Sequence, residues 1–187
     1  INGKLLPDEE LIRVLHNLGP EHGAIGPEGD ILFFRTRSEK PIRDNAYVLE
    51  DTLLADITFE TYARSFDSIE HTWHLFKHAK NQIAWDYVML TAGRRSQPID
   101  DHGSIIYGAD NIFVEEGASI KGATLDAENG PIYIGREASI QPGAIIQNAH
   151  AICEHATVNM GAKLRGDSVT GPWVKVGGEL GNSVFWG

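Results

Sequence analysis

The most regular feature of the chain is an aliphatic side chain that returns at every sixth position between residues 134 and 176. An α-helix repeats about every 3.6 residues and a β-strand about every two, so neither element alone produces this period. Four residues after each of these positions stands a usually small side chain, although His150, Val174 and Leu180 are larger. The aliphatic members are Ile134, Ile140, Ile146, Ile152, Val158 and Leu164, then a lapse at Thr170, and Val176. The small members are Ala138, Ala144, Ala156, Ala162 and Ser168.

A six-residue period predicts a parallel β-helix. Each flat side of a triangular coil points one branched apolar side chain inwards, and each corner needs a small residue because the backbone crowds there. On this basis residues 105–187 are predicted to form fewer than four coils. Two extra residues follow Ile120, and we assign them to a corner at residues 126–131, which are rich in turn formers. A second displacement of two residues is expected between Val176 and Val184.

Residues 1–67 lack this period and are predicted to be a mixed α/β segment. A helix begins after Pro7, with acidic residues in its first turn. Apolar runs at 31–34 and 47–49 predict two strands, and residues 19–23 are assigned to a loop. Because two strands make a poor independent domain, we expect this segment to be the distal part of a larger α/β domain.

Residues 68–104 are predicted to be a connecting helix and a linker into the solenoid. Apolar side chains at spacings of three, four or seven indicate a helix over 68–92. Asp67 with Glu70 resembles a capping box, and Gly93 supplies the stop. The apolar members are Ile69, Trp73, Phe76, Ile83, Tyr87 and Leu90.

Composition and net charge indicate which classes of molecule are unsuitable as the main binding partner. The chain has 16 Lys and Arg against 26 Asp and Glu, which argues against nucleic acid or an anionic membrane surface as the main partner. Cys153 is the single cysteine, so no internal disulfide can form, and a cytoplasmic location is expected. No apolar run approaches the ~20 residues of a membrane span. The chain starts at Ile1 without a methionine and stops at Gly187 amid a repeat-like stretch, so we expect a truncated solenoid in a fragment of a longer protein.

The hexads at 134–139 and 140–145 resemble those of left-handed β-helix proteins, which include bacterial acyltransferases and sugar nucleotidyltransferases. The order of an α/β segment, a long connecting helix and a β-helix resembles the bifunctional N-acetylglucosamine-1-phosphate uridylyltransferase and glucosamine-1-phosphate acetyltransferase. The resemblance therefore implies an all-β left-handed parallel β-helix, a hexapeptide-repeat solenoid, behind the α/β segment. The stretches most similar to bacterial sugar nucleotidyltransferases are residues 1–10 (INGKLLPDEE), 115–118 (EEGA), 130–135 (GPIYIG) and 175–179 (KVGGE).

The resemblance implies part of a sugar-1-phosphate nucleotidyltransferase, which makes a sugar nucleotide. Mg²⁺ and a nucleoside triphosphate would be its cofactors, a sugar phosphate its substrate, and a homotrimer through the β-helix its assembly. The β-helix would serve oligomerisation or acyl transfer. Two alternatives stay open, a coenzyme A-dependent acyltransferase that uses acetyl-CoA and a non-enzymatic trimerisation scaffold.

One part of the family pattern is missing from this sequence. Related enzymes bind nucleotide through a glycine-rich loop that ends in arginine, and nothing here matches that loop. We expect it to lie upstream of Ile1, so that this fragment alone would not transfer a nucleotide. Residues 38–41 contain a Glu-Lys-Pro tripeptide seen near the sugar site of related enzymes, although three common residues also match by chance.

The resemblance to β-helix acyltransferases also implies a histidine general base, because imidazole titrates near neutrality. His150 is the candidate for the acyl-transfer reading, since it occupies a corner position otherwise given to a small residue. The alternatives are a packed core histidine and a group facing a groove between neighbouring solenoids. His155 is placed on an exposed turn.

Three cations of the solenoid are candidates for binding substrate. Lys163 and Arg165 flank the inward Leu164, and Lys175 flanks the inward Val176, so all three are predicted to point outwards. The step from Lys163 to Lys175 places these two on different sides of the coil. In a trimer the three could still converge on a phosphate or a coenzyme A tail, while the alternative is solvated surface charge.

Two further groups of side chains are noted for other reasons. His71, His74 and His78 fall at i, i+3 and i+7 on one face of the predicted helix, and the last two have the i, i+4 spacing that can bind a metal. Because no His-Glu-x-x-His arrangement is present, we predict no metal and a polar interdomain or intersubunit face. Trp173 and the aromatic pair at 185–186 are predicted at solenoid corners, where exposure would indicate a trimer contact or a continuing chain.

Overall fold

The computed structural model describes residues 1–37 and 54–187 and divides into two compact units, Ile1–Glu70 and His71–Gly187. The strand predicted at 47–49 and the tripeptide within 38–41 lie outside the described residues. The predicted fold class is confirmed, because a small α/β part with a helix precedes a parallel-strand β-solenoid.

The first unit begins with helix α1, Glu9–Asn17, as predicted. The Asp8 side chain caps it by accepting a hydrogen bond from the Leu11 N–H at 2.7 Å. Acidic residues in the first turn complement the positive end of the helix dipole. Leu11 is buried and directs this helix into the core of the unit.

A three-stranded sheet supports α1, in the order β2-β1-β3. The strands are β1 (His22–Ile25), β2 (Ile31–Arg35) and β3 (Thr58–Thr61). β1 pairs antiparallel with β2 and parallel with β3. The loop prediction for 19–23 is wrong at its end, because Gly23 lies inside β1 and a Cβ there would come within 2.7 Å of the Phe59 ring. Glycine at this position permits close packing and does not end the strand.

The helix predicted over 68–92 is shorter in the structure. Helix α2 spans His74–Thr91, and its N-cap Trp73 makes no side-chain capping bond. The predicted capping pair is therefore wrong: Ser68 forms a β-bridge with Leu5, and its hydroxyl donates to Glu70. The predicted stop is confirmed by Gly93, which has a φ of 70°. No helix in the described ranges is both long and apolar enough to cross a membrane.

Three parallel sheets form the walls of the solenoid, and successive strands pass from one wall to the next. The first wall contains β4 (Ile105–Tyr107), β7 (Thr124–Asp126), β10 (Ile145–Gln147), β13 (Lys163–Arg165) and β16 (Glu179–Gly181). The second contains β5 (Ile112–Val114), β8 (Ile132–Ile134), β11 (His150–Ile152), β14 (Ser168–Thr170) and β17 (Val184–Phe185). The third contains β6 (Ser119–Ile120), β9 (Ser139–Ile140), β12 (Thr157–Val158) and β15 (Lys175–Val176).

The predicted inward stripe is confirmed, and it forms one continuous core. Every stripe position from Ile134 to Val176 is at most 4% exposed, including Thr170. The extra residues predicted at 126–131 do occupy a corner, since β7 ends at Asp126 and β8 begins at Ile132.

The solenoid has four complete coils and two strands of a fifth, which corrects the predicted number. The coils differ in length. The first coil also precedes the six-residue stripe, so the number of coils is underestimated when it is counted from that stripe. The inward residues of the first wall are Ile106, Leu125, Ile146, Leu164 and Leu180, and they follow one another at 19, 21, 18 and 16 residues.

The displacement predicted after Val176 runs in the opposite direction. Leu180 is the next inward residue and follows Val176 by only four positions. Phe185 packs against the interior, whereas Val184 lies on the outer side of the same strand. This coil is therefore shortened, because the chain omits residues at a corner. Of the predicted aromatic pair at 185–186, Trp186 is exposed, whereas Phe185 is the member that packs inwards.

The predicted linker into the solenoid acts as the cap of its first coil. Gln97 donates its N–H to the Val114 carbonyl at 2.8 Å, and Ile99 packs against the interior. Asp101 accepts the Gly122 N–H at 2.8 Å, and this hydrogen bond holds the pKa of Asp101 below its usual value. The first coil thus has its exposed backbone groups partly satisfied.

Helix α2 covers the second wall of the solenoid. Ala79 and Ile83 on the helix pack against Ala149, Ala151 and Val169. The helix contacts β11, β14 and β17, which belong to the third, fourth and fifth coils. This packing places α2 in the same unit as the solenoid.

Candidate functional site

A lysine between two carboxylates forms a polar cluster in the first unit. Lys4 Nζ lies 3.1 Å from Glu70 Oε1 and 3.6 Å from Asp30 Oδ2. The Lys4 backbone N–H donates to Asn2 Oδ1 at 3.2 Å, and Ser68 Oγ donates to Glu70 at 2.8 Å. We call these five residues the Lys4 cluster. The Lys4 side chain is 31% exposed, so a solute can reach it.

The Lys4 cluster lies beside the turn between β1 and β2, where Asn2 Nδ2 donates to the Ile31 carbonyl at 3.2 Å. β1, which pairs parallel with β3, ends at Ile25. Asp30 closes the turn that leaves Ile25, since its carbonyl accepts the Gly26 N–H at 2.8 Å. A Cβ at Gly26 would lie 2.5 Å from Asp30 Oδ1, so a larger residue there would displace the Asp30 carboxylate. Ligands of open α/β sheets bind outside the carboxyl ends of parallel strands, so the turn at the carboxyl end of β1 favours a ligand site.

The charges of the Lys4 cluster decide which ligand groups it suits. The hydrogen bond to Glu70 and the two nearby carboxylates raise the pKa of Lys4, outweighing the opposite effect of burial. One ammonium and two carboxylates leave a net charge of about −1. Carboxylates accept hydrogen bonds from hydroxyl groups, and the ammonium donates to oxygen. The arrangement therefore fits the hydroxyl groups of a sugar better than it fits an isolated phosphate.

His150 lies inside the solenoid at the start of β11 and is 0% exposed. It stands between Ile132 and Ser168 of the adjoining coils. Neither ring nitrogen has a hydrogen-bond partner in the described part of the chain. Burial lowers the pKa of His150 to about 4, and the nearby backbone of Asn148 and Gln147 opposes this only in part. The imidazole is therefore neutral at pH 7 and enclosed within one chain, and its role as a base stays a prediction.

Lys163 and Arg165 point outwards from β13 and Lys175 from β15, as predicted. These strands belong to different walls, so one chain does not bring the three cations together. Arg165 also forms an ion pair with Glu179, which is the register neighbour of Lys163. Convergence on a phosphate or a coenzyme A tail would need a second subunit and stays a prediction.

His71, His74 and His78 form a cluster of rings at the start of α2. Ring centroids lie 5.2 Å apart for His71 and His74 and 5.6 Å apart for His74 and His78. His71 precedes the helix and stacks on Trp73, so the predicted spacing along one helix face is wrong at its first member. Within residues 1–37 and 54–187, no group of three or more His, Cys, Asp or Glu side chains could hold a metal ion.

Arg94 joins the end of α2 to the first two coils of the solenoid. Its Nη1 donates to the Leu90 carbonyl at 2.9 Å, and its Nη2 lies 2.6 Å from Glu115 Oε2. Tyr133 donates its hydroxyl to Glu115 Oε1 at 2.6 Å. The guanidinium carbon lies 5.2 Å from the centre of the Phe113 ring. We call these five residues the Arg94 network.

The Arg94 network brings together two stretches that carry the family resemblance, 115–118 and 130–135. Burial and the hydrogen bond to Glu115 raise the pKa of Tyr133 to about 12. Burial would also raise the pKa of Glu115, but hydrogen bonds from Arg94 and Tyr133 outweigh it and hold that pKa below its usual value. The charged groups of this network are thus paired with one another within the fold.

One corner of the solenoid carries large side chains in the left-handed backbone conformation. Glu137, His155 and Trp173 occur at intervals of eighteen residues with φ values of 53°, 56° and 63°. The His155 ring stacks on Trp173 at 4.0 Å between centroids, and its Nδ1 lies 3.3 Å from Glu137. The corner placement of Trp173 and the turn at His155 are therefore confirmed, and Trp173 is 69% exposed.

Sequence reasoning missed the Lys4 cluster because its members are far apart in the chain. Lys4 and Glu70 are separated by 66 residues, and no periodicity links them. A partial signal exists at Asp30, which ends a glycine-rich turn before an apolar run. The corner that holds Glu137, His155 and Trp173 had a clearer signal in the sequence, because these residues are separated by eighteen positions, the length of one regular coil.

Comparison with known proteins gives one positive result. Residues 1–95 match the family model described as sugar nucleotidyl transferase, which spans half of the chain. No curated protein matches the chain. The matched range contains the whole Lys4 cluster, helix α2 and Arg94.

Proposed function

The chain belongs to the sugar nucleotidyl transferase family, and from that premise we propose that it is part of an enzyme that joins a sugar 1-phosphate to a nucleotide. In that reaction a phosphate oxygen of the sugar 1-phosphate attacks the α-phosphate of a nucleoside triphosphate, and pyrophosphate leaves. The first unit takes part in recognising the sugar, and the solenoid serves assembly.

The position of the Lys4 cluster is the observation that supports this proposal. It lies within the matched range, at the turn that follows the carboxyl end of β1, and α/β sheets bind ligands outside such strand ends. Asp30 and Glu70 would accept hydrogen bonds from sugar hydroxyl groups, while Lys4 donates to a sugar or phosphate oxygen. These contacts would orient the sugar 1-phosphate for attack without themselves forming a covalent bond.

Isothermal titration of glucose 1-phosphate into the 187-residue chain tests this role. Lys4→Gln removes the cation between two carboxylates and leaves a net charge of about −2, so we expect binding at least tenfold weaker. Lys77→Gln, which changes an exposed lysine of α2, is the matched control and should bind as the unmodified chain does. Equal affinity in the Lys4→Gln variant would remove the cluster as a sugar site.

Mg²⁺ and a nucleoside triphosphate are proposed as cofactors from the family alone. The described residues do not offer a set of three side chains that could coordinate a metal, and no catalytic step is assigned through one. Pyrophosphate release by the natural protein that carries this chain, assayed with each nucleoside triphosphate and Mg²⁺, tests the reaction. Asp30→Asn should lower kcat/KM for the sugar phosphate more than for the nucleotide.

A homotrimer through the solenoid is proposed as the assembly. Helix α2 packs on β11, β14 and β17 of the second wall, so the first and third walls offer the more open surfaces for subunit contacts within this unit. Light scattering at micromolar concentration should give three times the chain mass, and a monomer would contradict both this proposal and a pocket shared between subunits. The acyl-transfer alternative gains no support from His150, because its ring is enclosed in the core.

A further inference from the structure

A cleft lies on the first unit, against one face of α1. It encloses about 540 Å³, which is within the usual range for small-molecule pockets. Glu10, Arg13 and Asn17 line it from the helix, and His22 and Glu60 line it from the sheet. None of these side chains belongs to the Lys4 cluster.

The helix wall of this cleft carries an exposed guanidinium group. Glu10 pairs with Arg13, and its other oxygen lies 3.4 Å from Arg64 Nε. Glu10 is thus shared between Arg13 and Arg64, which lies outside the cleft lining, so a single carboxylate does not serve Arg13 alone. The Arg13 side chain is 64% exposed, so an anionic group can reach it. Guanidinium groups bind phosphate and carboxylate through paired hydrogen bonds.

The sheet wall carries the opposite charge. Glu60 is exposed on β3 and has no ion-pair partner among residues 1–37 and 54–187. His22 Nδ1 lies 2.9 Å from the Pro20 carbonyl oxygen, which can only accept, so Nδ1 carries a proton. The other ring nitrogen, Nε2, is then an acceptor in the neutral ring. The sheet side therefore offers two acceptors for a donor such as an ammonium group.

The cleft and the Lys4 cluster lie at opposite ends of the same strand. His22 is the first residue of β1, whereas the turn to Asp30 leaves Ile25, its last residue. A strand of this length extends ~10 Å or more, so one small ligand cannot occupy both places.

We propose that this cleft is a second ligand site, which binds a small zwitterion through an anionic group at Arg13 and an ammonium group at Glu60. An amino sugar phosphate and a free amino acid both have this chemistry. The site goes beyond the proposed sugar recognition and does not depend on it, because it shares no side chain with the Lys4 cluster.

Titration of the 187-residue chain, followed by the amide NMR signals of Asn17 and Gly19, tests the proposal. Glucosamine 1-phosphate and L-glutamine each carry both charges, while glucose 1-phosphate and glucosamine lack the ammonium and the phosphate, respectively. Saturable shifts with a zwitterion, and binding at least ~10-fold weaker with both singly charged sugars, are expected from paired charge contacts. A response to glucosamine 1-phosphate alone would identify the sugar source, and a response to glutamine alone the amino acid source.

Variants separate this site from the proposed sugar site. Arg13→Gln and Glu60→Gln should each weaken zwitterion binding at least ~10-fold, whereas Arg37→Gln and Glu9→Gln, at residues outside the cleft, should not. Lys4→Gln should leave these signals unchanged even if it abolishes glucose 1-phosphate binding. The proposal is overturned if neither zwitterion shifts the two amides, or if the singly charged sugars bind as tightly.

Discussion

The solenoid and the α/β unit bury their side chains by different rules. In the solenoid each coil repeats the last, and an inward residue has the same type of neighbour above and below. In the α/β unit the core consists of single contacts that occur once, such as the edge-to-face pair of Phe33 and Tyr62 at 5.9 Å. The repeated core can be read from spacing alone, whereas the polar cluster and the cleft both lie in the unit without a repeat.

The largest loss of stability is expected when a charge is placed in the repeated core of the solenoid. Ile146 is 0% exposed, and Ile146→Asp would bury an unpaired carboxylate in the third coil. We expect a loss of more than about 4 kcal/mol in the free energy of unfolding, measured by urea denaturation. Ile145→Asp is the control, because the adjacent side chain points outwards and is half-buried. Its cost should stay below about 1 kcal/mol, and equal costs would contradict the assigned register.

The corresponding change in the α/β unit is the deletion of a core ring. Phe33 is 1% exposed, and Phe33→Ala should cost about 3 to 5 kcal/mol through lost burial and a cavity. Hydrogen exchange should show the loss in β1 and β2. Phe34→Ala, at the neighbouring and less buried ring, should cost clearly less.

His150 sharpens the comparison because it is the polar exception in the repeated core. Its pKa falls from 6.5 to about 4 on folding, so between these values the unfolded chain binds more protons. Stability should therefore decrease by about 3 kcal/mol as the pH falls through that window. His150→Leu should abolish this part of the acid destabilisation in denaturation curves taken at pH 7 and pH 4.5. His102→Gln, at an exposed position, should retain it, and an unchanged slope in His150→Leu would refute the assignment.

The smallest expected effect concerns a local rule that needs no repeat. Asp8→Ala removes the cap of α1 and should cost about 1 kcal/mol in thermal unfolding. Asp8→Asn keeps an acceptor oxygen at the same place and should cost only a few tenths. A full loss in both variants would mean that charge at the helix terminus matters more than the hydrogen bond.

The same contrast explains what could be predicted from the sequence. A spacing of six fixes which residues point inwards, so the stripe from Ile134 to Val176 was predicted residue by residue. The start of helix α2 was predicted wrongly, because Asp67 and Glu70 have the spacing of a capping pair, but the chain at Ser68 pairs with Leu5 and the helix begins only at His74. The Lys4 cluster depends on the distant contact with Glu70, which no local pattern encodes.

Helix α2 has a consequence for how the solenoid unfolds. A stack in which each coil touches only its neighbours can fray from an end, one coil at a time. Here a single helix packs on the third, fourth and fifth coils, and Arg94 fastens its end to Glu115 beside the first. When any one of these coils opens, helix α2 loses contacts, and the same helix also packs on the other coils. The helix thus converts a row of separable repeats into one cooperative unit, which should unfold in a single transition.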